Sequence, residues 1–107
     1  MTDDRITAEQ FRQSDGVADW HVVDEAARTV FGTGSFATGV QLVDAIGELA
    51  DAADHHPDVD LRYGTVTVRI TSHDVGGLSA RDATLAAQIS DAARELDIPA
   101  DPADEDS

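Results

Sequence analysis

Three of the four histidines in this 107-residue chain fall within nineteen residues, as His55-His56-Pro57 and, after an alternating stretch, His73. Imidazole has an ordinary pKa near 6.5, so each ring gives or takes a proton at neutral pH, and a cluster of them suits proton transfer to and from one small substrate. Adjacent His55 and His56 diverge from one rigid corner. That divergence disfavours a shared metal ion, which wants its ligands converging with fixed outer contacts. It suits two rings touching different atoms of one flat molecule. A metal-binding module, and imidazoles that merely cap a helix and end a strand, are the other readings of the spacing. Nucleophilic catalysis has little support, since Ser72 is only a sequence neighbour of His73 and there is no cysteine. His21 reads as an ordinary strand side chain.

The elements around these residues explain how they are positioned. From Phe36, apolar side chains recur at Val40, Val43, Ile46, Leu49, Ala50 and Ala53, with Leu42 widening the stripe, which predicts a buried amphipathic helix capped by Ser35. Gly47 in that helix reads as a close packing contact. The helix must end at the histidines, because a residue before proline is pushed out of the α region. Beyond Pro57, Val59, Leu61 and Tyr63 alternate with polar residues, as do Val66, Val68 and Ile70, predicting two half-buried strands joined at Gly64-Thr65. By parity His73 lies in line with Arg69 and Thr71 at the end of the second strand. Antiparallel pairing returns that end to the Pro57 corner, so the three imidazoles are expected to cluster.

The flanks are plainer. Residues 1–19 are polar, with a short helix predicted over Thr7–Gln13 and Thr7 as its N-cap. Trp20, Val22 and Thr29–Phe31 are β-prone on either side of an acidic turn at Asp24-Glu25, which predicts a hairpin. Ser79-x-x-Asp82 opens a helix with Leu85, Ala86, Ile89, Ala93 and Leu96 on one face, and an acid at that third position stabilises the helix start. The domain is therefore expected over 20–96, with 97–107 an acidic, disordered tail.

Composition narrows the function. There are 22 acidic residues against 7 basic ones, all arginine, for a formal net charge of -15. Such a surface repels phosphate backbones and anionic lipid, so nucleic acid and membrane are not expected partners. A salt-rich cytoplasm screens this self-repulsion and would make the protein halophilic; a GC-rich genome that favours arginine over lysine gives the same bias. Without a leader-like start or a long apolar run, a cytoplasmic protein is expected.

The stretch resembles the pterin-4a-carbinolamine dehydratase family, whose pattern is an acid, three residues, His-His-Pro, an aromatic, nine residues, a His, and a later Asp. Here that reads Asp51, His55-His56-Pro57, Tyr63, His73 and Asp82. Phe31, Phe36, Leu42, Ile46, Ala50, the Val-x-Val-x-Ile before His73 and Gly76-Gly77-Leu78-Ser79 extend the likeness over roughly Trp20 to Leu96. Ser72 departs from the family's threonine, Thr33 from its aromatic, and Asp51 is one methylene shorter than the usual glutamate.

The resemblance implies an α+β fold, a four-stranded antiparallel sheet with two to three helices packed on one face. It implies loss of water from 4a-hydroxytetrahydropterin to give quinonoid dihydropterin, as in pterin recycling after aromatic amino acid hydroxylation, with a small-molecule pterin as substrate. No cofactor and no metal are implied. His55, His56 and His73 become the catalytic residues, with Asp51, Asp54 and Asp82 orienting imidazoles or substrate. It further implies a homodimer or homotetramer. A relative that has kept the fold as an interaction or assembly protein is the alternative.

Overall fold

The computed structural model describes residues 5–100. In chain order the elements are α1 (Ala8–Arg12), β1 (His21–Val23), β2 (Ala26–Gly32), α2 (Phe36–Ala53), β3 (Asp58–Leu61), β4 (Thr65–Ile70), a single 3-10 turn (His73–Val75) and α3 (Ala80–Glu95). The strands form one antiparallel sheet in the order β1-β2-β4-β3. This is the expected α+β architecture with a four-stranded sheet and three helices.

The sheet's alternation sets the core. Ala27, Thr29 and Phe31 of β2 and Val66, Val68 and Ile70 of β4 are buried and paired across the two strands. Against them pack Leu42, Ile46 and Ala50 of α2 and Leu85, Ala86, Ile89 and Ala93 of α3. Trp20 stands edge-on to Phe31, ring centroids 6.5 Å apart, and its Nε1 donates to the buried Ser90 hydroxyl at 2.9 Å.

Two turns set the hairpin geometry. The β1-β2 hairpin closes on Asp24 and Glu25 with φ of 52° and 66°, the doubly left-handed turn that matches strand twist and usually calls for Asn-Gly. The β3-β4 turn lies one residue earlier than predicted. Leu61 pairs with Val66, and Arg62 N–H donates to the Thr65 carbonyl at 2.9 Å, so Tyr63-Gly64 forms the loop rather than Gly64-Thr65. Tyr63 is consequently exposed at the tip instead of extending the strand.

The buried face of α2 is also rotated from the predicted stripe. Gly39, Leu42, Ile46 and Ala50 are its buried residues, while Phe36 and Val40 remain 50% and 44% exposed. Gly47 faces open space, so it is not the close contact expected of it; Gly39 is, since a Cβ there would stand 2.6 Å from the Leu61 side chain of β3.

Both ends join the core. Thr7 and Gln10 form a reciprocal capping box on α1, and Phe11 and Val17 are buried. Within Asp97–Ala100, assigned by composition to the acidic tail, Ile98 is buried at 3% exposed, and the Pro99 carbonyl accepts the Gly32 N–H at 2.9 Å. Apolar Ile98 and the free β2 amide outweigh the local acidity. The remainder of that predicted tail, 101–107, lies outside the described residues.

Candidate active site

Helix α2 ends on Asp54, whose backbone is left-handed (φ 53°, ψ 42°). The Asp54 N–H reaches the Asp51 carbonyl at 3.2 Å and the His55 N–H reaches back to Ala50 at 3.1 Å. This paired closure satisfies the last helical carbonyls and usually places glycine at the left-handed position. Aspartate tolerates it because its short polar side chain does. The turn throws His55 inward and His56 outward before Pro57.

His55 is the better enclosed of the two, its side chain 12% exposed. Its Nε2 lies 2.5 Å from Oδ1 of Asp82, a fully buried carboxylate in the first turn of α3. The other oxygen, Oδ2, accepts the Ser79 N–H and the Ser72 hydroxyl, each at 2.8 Å, and the Ser79 hydroxyl at 3.3 Å. A buried carboxylate persists only with such saturation. Since Oδ2 is surrounded by donors, Oδ1 is left to accept from His55, which assigns N–H to Nε2 in the neutral ring and leaves Nδ1 with the free lone pair.

The predicted site residues therefore divide into three groups. His55 and Asp82 meet directly. His56 Nε2 meets Asp51 Oδ1 at 2.9 Å, an exposed pair with side chains 60% and 81% accessible. The shortened Asp51 thus still reaches the ring. His73 follows the Ser72 that stands 3.5 Å from His55 Nε2, and its own side chain lines a shallow depression of about 210 Å³ with Arg69, Thr71, Gly76, Gly77, Asp24 and Glu25. It shares the outer face with Arg69 and Thr71 as parity predicts. Asp54 closes α2 through its backbone, and among the described residues its side chain bonds to no imidazole.

Ser72 and Ser79 are site residues that motif reading passed over. Parity held the signal, because Ser72 continues the inward series Val66, Val68, Ile70 and is 1% exposed. Its hydroxyl joins Ser79 at 2.8 Å as well as Asp82. Beyond it, Arg81 clamps Asp74 with two hydrogen bonds of 2.7 and 2.9 Å, tying the His73–Val75 turn to α3. That guanidinium holds the Asp74 carboxyl below its ordinary pKa, with smaller help from His55. Among the described residues no three His, Asp or Glu side chains group as metal ligands, and no helix is long and apolar enough to cross a membrane.

The family model described as pterin 4 alpha carbinolamine dehydratase matches residues 1–92. The chain belongs to that family. A provisionally named pterin-4-alpha-carbinolamine dehydratase of Nocardia farcinica is 42% identical over 96 residues, covering 88% of this chain and all of the relative. Among solved structures, a transcriptional coactivator/pterin dehydratase from Brucella melitensis superposes with a TM-score of 0.69 at 29% identity, over 79% of this chain and 89% of its own. A pterin dehydratase-like RuBisCO assembly factor of the alpha-carboxysome shares the fold, with a TM-score of 0.57 at 19% identity over 69% of this chain and 86% of its own.

Proposed function

We propose that this member of the dehydratase family is an active pterin-4a-carbinolamine dehydratase, removing water from 4a-hydroxytetrahydropterin to give the quinonoid dihydropterin. The C4a–O bond breaks, one protein group delivers a proton to the departing hydroxyl, and another accepts a proton from a ring nitrogen, so the pterin leaves with a new C=N bond. His55 and His73 form the acid/base pair and His56 contacts the substrate. Asp82 orients His55, and Asp51 orients His56. The protein works in the cytoplasm as a homo-oligomer, without a metal or cofactor.

The observation that carries this reading is the buried Ser72-Asp82-His55 chain. It fixes one imidazole by its Nε2 and leaves Nδ1 for proton exchange. A cap-only role for Asp82 accounts for the bond from the Ser79 N–H but not for the second oxygen aimed at a histidine.

A second reading, a non-catalytic interaction or assembly protein, is favoured by the names of the coactivator and assembly-factor neighbours. One assay separates the two: dehydration of enzymatically generated 4a-carbinolamine in high salt. Wild type should accelerate it, and His55→Ala, His56→Ala and His73→Ala should each lose about 10²–10⁴ of the rate if general acid–base help is removed. A wild type no faster than buffer would reject catalysis in favour of the interaction role.

A further inference from the structure

The depression that His73 lines carries both signs of charge. Arg69 and Thr71 come to it from β4, Asp24 and Glu25 from the β1-β2 turn, and Gly76 and Gly77 complete the rim. The turn is pinned in place: the Thr71 hydroxyl donates to the Glu25 carbonyl at 2.9 Å, and the Glu25 carboxylate pairs with Arg5 at 3.3 Å. Asp24 is different. Among the described residues its carboxylate makes no hydrogen bond or ion pair, and Arg69 turns to Asp58 at 3.8 Å rather than to Asp24. Asp24 also holds a left-handed position, φ 52°, where asparagine is the ordinary choice. Asparagine would close the hairpin equally well, so the turn does not explain a charge here.

At about 210 Å³ the depression is smaller than the pockets that enclose a whole ligand, about 300–1,000 Å³, so it suits one ring of a bicyclic substrate. The reacting C4a atom lies on the bond that fuses the two pterin rings. With that atom at His73, the pyrimidine ring is the part left to fill the depression. Its outer edge presents N–H donors at the 2-amino group and at N3, and a carbonyl acceptor at C4. A carboxylate only accepts, and its two oxygens take both donors side by side; a guanidinium only donates and suits the carbonyl. Asp24 and Arg69 supply those two opposites in one depression with His73.

We infer that Asp24 recognises the 2-amino and N3 edge of the pterin, with Arg69 on its 4-carbonyl. The inference rests on the pterin reading and adds a specificity to it: 2-amino-4-oxopteridines are preferred over 2,4-dioxopteridines, which carry an oxygen where Asp24 needs a donor.

Fluorescence titration of the whole chain with pterin and with lumazine, its 2,4-dioxo analogue, tests it at a pH where both rings are neutral. Wild type should bind pterin at least about tenfold tighter, the size of one lost charge-assisted hydrogen bond. Asp24→Asn should erase that preference, weakening pterin and strengthening lumazine, because an amide donates to the 2-oxygen. Asparagine is favoured at this turn position, so thermal melting should find the variant at least as stable as wild type, which separates recognition from folding. Asp24→Gly, also suited to the turn, should weaken pterin without strengthening lumazine. Arg69→Gln should weaken both, since both carry the 4-carbonyl. Equal wild-type affinity for the two pteridines, or a pterin preference unchanged in Asp24→Asn, overturns the assignment of Asp24 alone. Binding of neither pteridine to wild type overturns the pterin reading as well.

Discussion

Asp82 Oδ1 lies 2.5 Å from Nε2 of His55, joining the first turn of α3 to the exit of α2 across 27 residues of sequence. The bond places a helix-capping acid and a proton-transfer group in one network. The same carboxylate therefore bears on both stability and ring orientation.

Asp82→Asn separates these roles. The amide keeps the shape but adds an N–H where only acceptors are needed, so either His55 must change tautomer or a serine hydroxyl must turn away. An unsatisfied buried polar group costs about 1–3 kcal/mol, which denaturant unfolding will register. Nitrogen NMR should find N–H on Nε2 of neutral His55 in wild type and a shifted population in the variant, with dehydration falling about 10²-fold or more. Wild-type His55 protonated on Nδ1 alone would rule out the orientation argument.

The Asp74-Arg81 clamp carries a pH signature. With the folded Asp74 pKa lowered, chiefly by its hydrogen bonds to Arg81, the clamp's contribution is complete above the unfolded carboxyl pKa of about 3.9 and disappears as pH falls through the lower folded value. Neutral-pH stability is therefore flat with respect to this group, and its loss belongs to strong acid. In Arg81→Gln the Asp74 carbon resonance should titrate at higher pH than in wild type; an unchanged midpoint would dismiss the clamp.

Asp54 can be tested as backbone rather than as chemistry. Asp54→Gly puts the preferred residue at a left-handed helix end and should be neutral or stabilising by up to about 1 kcal/mol, whereas Asp54→Ala should cost about 1 kcal/mol. Both should retain dehydration within a few-fold. Large loss in the glycine variant would instead give its carboxylate the orienting role.

Ser90→Ala leaves the buried Trp20 Nε1 without an acceptor. A destabilisation of about 1–3 kcal/mol in denaturant melts followed by Trp20 fluorescence is expected, with little change in activity.

Much of this was readable from residue order. Strict alternation in Val66, Val68 and Ile70 gave the inner face of β4, and Pro57 ended α2 where it does end. Parity also put His73 beside Arg69 and Thr71. Less legible were features set by partners distant in sequence. A helical stripe cannot say whether Val40 or Leu42 points at the sheet, because both fit the period, and only the approach of β3 at Gly39 decides it. Nor does the spacing show Ser72 closing on Asp82, since a serine at a strand end signals nothing until α3 is laid over it. Composition misled at Ile98, where one apolar side chain and one waiting amide outweighed acidic neighbours.

The docking of Ile98 and Pro99 makes the chain's last described turn a latch for β2. Cutting after Leu96 would bare the sheet beside Phe31 and strand the Gly32 amide, so a shortened version trimmed by composition alone should melt earlier than the full chain. A fusion partner belongs beyond Ala100, where it leaves that latch closed.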